Sequence, residues 1–234
     1  MKITYCLPVF NEEVLISKSI DSLLAQEIPG EILIYDDGST DWTNEVLKHY
    51  LPIINEHNAK LGWSNNEVGI FFNKKRKGAA YCRNYLNNLA SGEIISVCDA
   101  DEYYKFRCHV IKEAFTLDKD LDLLHCSLHL KDDVNPLAMY TQEAYSWNLK
   151  SKCPISHPTV SIKAEIAKKF KYYEQSIETD LYEFYLLDIG LSGAKIGGCQ
   201  DPIMLKYENK SNRDMTKSKE LKLEMYKKYN IDII

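Results

Sequence analysis

The chain has 234 residues, with 29 Lys and Arg against 34 Asp and Glu, for a formal net charge of −5. Hydrophobic residues at 45% and charged residues at 27% describe a chain that buries a core, and they exclude a disordered or collagen-like one. No long Lys/Arg run offsets the acidic balance, so a protein built to hold a nucleic-acid polymer is excluded as well, while anionic small ligands at a local site are not.

Residues 2–7 form a short apolar run that ends at Pro8 and the polar Asn11-Glu12-Glu13. That run is too short for a signal peptide or a membrane span, so it is expected to be a first strand. Val14, Leu15, Ile20, Leu23 and Leu24 then supply a helical face that Pro29-Gly30 breaks, and residues 31–35 read as a second buried strand. After the loop 36–41 the pattern predicts a helix to about Tyr50, a strand over 68–72, a helix from about Gly78 to Ala90 and a strand over 93–98. Such alternation predicts an α/β fold with a mostly parallel, doubly wound sheet whose ligand lies at the strand C-termini.

The second half is less regular. Strands are expected over 121–126, near 139–147, at 194–196 and over 202–207, with a polar loop at 131–136 and helices around 164–170 and 180–189. A Lys-rich amphipathic helix from Met215 to about Tyr229 ends the chain, and no repeat or Pro/Gly/Ser linker divides it, so one domain is favoured. The seven cysteines are scattered without a C-x-x-C pair, which argues against zinc or redox chemistry and makes reduced thiols in the cytosol the expectation.

Three polar clusters follow three of the expected strands: 8–13, 36–41 and 99–102. In a parallel sheet these ends lie side by side and place aromatic, amide and carboxylate groups in one crevice. Asp99-Ala100-Asp101 carries two carboxylates at i and i+2, suited to holding sugar hydroxyls and a hard cation such as Mg²⁺ or Mn²⁺. As an isolated pair they would be ordinary turn acids; their place after a buried strand favours the site. Of Asp36 and Asp37, two like charges before a glycine, Asp37 reads as a ligand contact and Asp41 as the cap of the next helix.

Lys74 to Lys77 and Arg83 give a local positive field. An arginine about one and a half turns into a helix opened by Gly78 either points back toward the crevice and a diphosphate or lies on the surface. Asp180, ahead of an apolar helix, reads as half of a cap pair with Glu183, as a general base, or as both. His157 sits in a Pro-flanked loop, whereas His125 and His129 fall on a strand and lack the geometry of a metal pair.

In order and spacing these clusters resemble family 2 glycosyltransferases of the GT-A fold. Leu7-Pro8-Val9-Phe10-Asn11-Glu12-Glu13 is similar to the family's opening P-x-Y-N-E-E, Asp36-Asp37-Gly38-Ser39-Thr40-Asp41 to its D-D-G-S-x-D, and Gly78 to Asn84 to its G-x-x-x-x-R-N, after which Asp99-Ala100-Asp101 falls at its D-x-D. The resemblance implies an inverting transfer of sugar from a nucleotide diphosphate sugar, a UDP-sugar first among donors, to an acceptor hydroxyl on a glycan or glycolipid. It implies that Pro8, Phe10 and Glu12 flank the nucleoside, that Asp37 reads the base and Arg83 meets the diphosphate. Asp99 would bind ribose or sugar, Asp101 would ligate Mn²⁺ or Mg²⁺, and Asp180 would act as base, with Glu178 as its substitute.

Two departures stand out: Glu102 replaces the last acid of D-x-D-D, and the catalytic Glu-Asp is spread as Glu178-Thr179-Asp180. The implied division is a nucleotide-sugar half over 1–103, an acceptor half over 104–207 and a tail over 208–234. The basic face of the last helix reads first as solvated and second as a peripheral contact with a membrane bearing lipid-linked acceptor. A sugar nucleotidyltransferase is disfavoured by the absence of a Gly-rich loop after Leu7. A catalytically silent nucleotide-sugar binder is the competing reading from another class.

Overall fold

The computed structural model describes residues 1–130, 155–177, 181–206 and 215–228. Eight strands form one sheet in the order β3-β2-β1-β4-β7-β6-β8-β5. They are β1 (Ile3–Val9), β2 (Glu31–Asp36), β3 (Ile70–Phe72), β4 (Ile94–Val97), β5 (Glu102–Tyr104), β6 (Leu123–Leu130), β7 (Ser161–Lys163) and β8 (Ile196–Lys206). The helices are α1 (Ile16–Leu24), α2 (Thr43–Lys60), α3 (Ala79–Leu89), α4 (Arg107–Leu117), α5 (Ala164–Lys169), α6 (Tyr182–Leu191) and α7 (Met215–Lys228).

β1 is buried along its whole length because helices cover both sheet faces, as a central parallel strand requires. Its alternate residues divide between two cores. Ile3, Tyr5, Leu7 and Val9 pack with Ile20 of α1, Leu47 of α2 and Ile111 of α4, while Cys6 faces Leu86 of α3, Ala167 of α5 and Phe184 of α6. Strands β3, β2, β1 and β4 are mutually parallel, so the loops after them emerge on one side. Beyond β4 the sheet is mixed: β7 runs antiparallel to both β4 and β6, β6 and β8 are parallel, and β5 closes the edge antiparallel to β8.

The expected α/β fold is therefore present, with several boundaries corrected. Helix α2 runs on through the exposed Pro52 to Lys60, because its buried face continues at Ile54 and Asn58. Asn58 explains why the helix must reach so far. The short β3 begins only opposite Ile34, and beside Ile32 the Asn58 amide takes its place, accepting from Ile32 N and donating to Ile32 O, both at 2.9 Å. The two late strands expected at 194–196 and 202–207 are one continuous strand, β8. The expectations for 131–136 and 139–147 lie outside the described residues.

At the opposite end of the sheet from these loops, Glu31 is a fully buried carboxylate. It accepts from Thr4 Oγ1 and Ser64 Oγ at 2.6 Å, Asn66 Nδ2 at 2.7 Å, Ser91 N at 2.8 Å and Ser91 Oγ at 2.9 Å. Burial alone would raise its pKa, but these donors together hold it below the ordinary value. A carboxyl with a lowered folded pKa contributes its full stability above the unfolded value of about 4.3 and loses it as pH falls through the folded value. Glu31→Gln, which turns an acceptor into a donor facing donors, should cost about 1–3 kcal/mol at neutral pH. The gap between wild type and variant should narrow below about pH 4 in denaturant melts; a gap that is constant from about pH 3 to 7 would contradict this account.

Candidate active site

The first loop leaves β1 at Phe10 and turns at Asn11, a non-glycine residue with φ of 54°. Asn11 holds that conformation through the neighbouring loop: its N–H donates to Ser39 Oγ at 2.9 Å and its Oδ1 accepts from Thr40 N at 2.8 Å. Ser39 Oγ in turn donates to Asp36 Oδ1 at 2.5 Å, and Asn44 Nδ2 reaches Asp36 Oδ2 at 3.3 Å. Asp36 is thus a bracket between β2 and α2. Asp41 stands one residue before Trp42, the N-cap of α2, and its carboxylate accepts from the first helical N–H, Thr43 N, at 3.0 Å and from Glu13 N at 3.3 Å. Glu12 anchors the same junction, its N–H on Thr43 Oγ1 at 2.8 Å and its carbonyl opening α1.

Asp37 is 3% exposed and faces the loop after β3. Its Oδ1 accepts from Lys77 N at 2.8 Å and Asn73 Nδ2 at 3.1 Å, and its Oδ2 from Gly78 N at 2.7 Å. The repulsion expected between Asp36 and Asp37 is therefore answered by N–H and O–H donors of the chain's own loops. Sequence reasoning did not foresee this for Asp37, because two of its donors are backbone amides about 40 residues away in the chain. Gly78 has φ of 98°, and a Cβ there would meet Ile177 Cα at 3.0 Å and Ser176 O at 3.1 Å. The start of α3 is thereby pressed against the segment that leads into 178–180.

The basic loop 74–77 lies over the first one. Arg76 Cζ sits 4.2 Å from the Phe10 ring centroid, and Lys77 Nζ lies 4.0 Å over Tyr81. Arg83, in the second turn of α3, is 5% exposed and points to the loop after β4, as one of its two sequence readings has it. Its Nη2 meets Asp99 Oδ1 at 2.6 Å. Carboxylate oxygens of Asp99, Asp101 and Glu102 all lie within 4.8 Å of one another. Three hard oxygen donors so close fit Mg²⁺ or Mn²⁺, whose charge would offset their mutual repulsion. Glu102, noted in the sequence only as a replacement for aspartate, belongs to this cluster; the signal for it was the i, i+2, i+3 spacing of acids on a turning backbone.

His157 is buried behind the pair. It stacks on Tyr182 at 4.5 Å with planes 10° apart, and its Nε2 is 2.9 Å from Tyr172 Oη. Burial, reinforced by Arg83, pushes its pKa well below the ordinary value, so it is a neutral core imidazole at pH 7. His125 lies on β6 as expected, and burial lowers it to about 4. Glu178 and Asp180 lie outside the described residues. Just after them, Glu183 of α6 is paired with Lys222 of α7, and Met225 of α7 is buried in the core. Lys228 Nζ lies 4.9 Å over Tyr173, so the basic face of the last helix is partly engaged with its own domain.

The family model described as Glycosyl transferase family 2 matches residues 4–171. An uncharacterized glycosyltransferase of Methanocaldococcus jannaschii is 24% identical over 239 residues, covering 98% of this chain and 78% of that protein. A poly(ribitol-phosphate) beta-glucosyltransferase of Bacillus spizizenii is 37% identical over 106 residues, 44% of this chain and 15% of that one. Among solved structures, S. aureus TarS 1-349 in complex with UDP-GlcNAc has a TM-score of 0.70 at 18% identity, over 91% of this chain and 60% of that chain. The mannosyltransferase PcManGT of Pyrobaculum calidifontis, in complex with GDP-Man and Mn²⁺, has a TM-score of 0.62 at 17% identity, over 91% and 58%. The chain thus spans about three fifths of the solved structures it resembles. They share its fold, the GT-A fold of the sequence resemblance. With the matched stretch running from β1 through all four loops of the crevice, the chain belongs to glycosyltransferase family 2.

Proposed function

We propose that this chain is a catalytic glycosyltransferase domain that moves a sugar from a nucleotide diphosphate sugar to an acceptor hydroxyl with inversion. The observation that carries the reading is the convergence, at the ends of the neighbouring strands β2, β1 and β4, of Asp37, Phe10 and the Arg83–Asp99 pair with Asp101 and Glu102. Residues 1–103 would bind the donor and 104–207 the acceptor, in one domain with 208–234 as its tail. Phe10 would offer a ring for the base, Pro8 and Glu12 would flank the nucleoside, and Asp37 would read an imino N–H beside its loop contacts. A uridine donor suits that pair of residues best. Arg83 lends positive charge to the diphosphate while Asp99 orients the guanidinium and takes ribose or sugar hydroxyls.

Asp101, with Asp99 and Glu102 beside it, would hold Mn²⁺ or Mg²⁺, which when bound supplies positive charge against the leaving diphosphate. Asp180, with Glu178 as the alternative, would take the proton of the acceptor hydroxyl as its oxygen attacks the anomeric carbon opposite the phosphate. A single in-line displacement of this kind needs no enzyme nucleophile. The acceptor is a hydroxyl of a glycan or glycolipid. Among the described residues no helix is long and apolar enough to cross a membrane, and the reading places the domain on the cytosolic side, with α7 as a peripheral contact where the acceptor is lipid-linked.

Thermal melts with UDP, GDP and their sugars, each with and without Mn²⁺, test this. A metal-dependent rise with one nucleotide class is expected, since a ligand selective for the native state raises its melting temperature. Phe10→Ala should weaken that nucleotide by about 5- to 160-fold, the range of one base–aromatic stack. Flat melts across the panel would sink the reading, and binding without release of the sugar would leave the silent binder in its place.

A further inference from the structure

The loop bearing the acidic cluster is held from beneath by two buried hydroxyls. Tyr104, on β5, is 1% exposed. Its Oη accepts from Asp99 N at 2.7 Å and has two acceptors for its single proton, Glu102 Oε2 at 2.9 Å and Asp99 O at 2.8 Å. Ser19, on α1 and fully buried, places Oγ at 2.7 Å from Ala100 O and 2.6 Å from Glu102 O, and accepts from Glu102 N at 3.2 Å. Between them the two hydroxyls engage the backbone at residues 99, 100 and 102 and one of the three carboxylates.

The Tyr104 ring is itself fixed. Ser22 Oγ accepts from Tyr104 N at 3.0 Å, Gln26 Nε2 donates to Tyr104 O at 3.1 Å, and Arg107 Cζ lies 5.1 Å over the ring. Arg107 is fully buried and ties that ring to the end of β4 and the turn at His157–Thr159. It donates to Ser96 Oγ and Val97 O at 2.6 Å, Pro158 O at 2.7 Å and Val160 O at 3.1 Å.

We infer that Tyr104, seconded by Ser19, is a positioning residue for a divalent cation: its hydroxyl holds the 99–102 turn in the one shape that keeps three carboxylates converged. Like charges held together cost energy without a counter-ion, and a turn free to relax would splay them. Groups that orient ligands in this way typically govern metal affinity by 10- to 100-fold. The inference rests on the metal reading given above, so the test begins by separating the two.

Mn²⁺ binding is followed by the loss of its free-ion electron paramagnetic resonance signal, with UDP or GDP present, in wild type, Tyr104→Phe and Ser19→Ala. Nucleotide affinity is measured in parallel in the presence of EDTA. Wild type should bind Mn²⁺, and each variant should bind it at least about tenfold more weakly with its metal-free nucleotide affinity within about twofold of wild type. Wild type that binds no Mn²⁺ overturns the metal reading and this inference with it. Variants that bind Mn²⁺ like wild type overturn the inference alone, as do variants that lose metal-free nucleotide binding in the same proportion, which marks a merely structural role. If Tyr104→Phe fails to fold, Ser19→Ala decides by the same criteria.

Discussion

Asp101→Ala should abolish metal-dependent turnover, with a loss in kcat of about a thousandfold or more. The estimate follows from the several kcal/mol that a bound cation contributes against developing negative charge, at 1.36 kcal/mol for each factor of ten. The fold itself should not suffer. Asp101 is half-buried beside Asp99 and Glu102, and the tie between Arg83 and Asp99 does not pass through it. Deleting one of three clustered carboxylates also removes like-charge repulsion, so without metal the variant should melt within a few degrees of the wild-type temperature, on the order of ±1 kcal/mol. A loss of activity accompanied by a large fall in melting temperature would therefore implicate the fold instead. Turnover within about tenfold of wild type at saturating Mn²⁺ would remove Asp101 from the metal site.

How much of this was legible in the sequence depends on where each interaction is encoded. The central strands and α1, α3 and α5 announce themselves through local periodicity, and the Gly78 turn through a residue that must take positive φ. Helix α4 was missed although Cys108, Ile111 and Phe115 have helical spacing. It begins at Arg107, whose guanidinium is buried against carbonyls from β4 and the 157–160 turn, partners that no local pattern displays. Strand β5 has only three residues, too few for an alternation to show.

The site divides in the same way. That Asp37, Phe10 and Asp99 emerge side by side follows from parallel strand ends, and the sequence shows this. That Asp37 is bound by Lys77 N and Gly78 N, or Asp99 N by Tyr104 Oη, is tertiary information carried by backbone amides that every residue but proline possesses, so no pattern of side chains could reveal it.

Asp180→Asn should lower kcat by about a hundred- to ten-thousandfold and leave the affinity for donor nucleotide unchanged. The amide is the same size as the carboxylate and still accepts a hydrogen bond, so the acceptor hydroxyl can bind, but it cannot take the proton. The separation from donor binding has a ground in the chain: the groups proposed for the nucleotide and diphosphate, Phe10, Asp37 and Arg83, belong to β1, β2 and α3 and their loops, and none of them lies in the segment 178–180. Glu178→Gln is the internal control. If Asp180 is the base, Glu178→Gln loses far less than its partner, and the acid limb of the kcat–pH profile vanishes only in Asp180→Asn. The reverse pattern would assign the proton to Glu178. Full kcat in both variants would place the base outside this segment and leave the two acids as negative charge ahead of the N-terminus of α6, where a carboxylate is favourable without any catalysis.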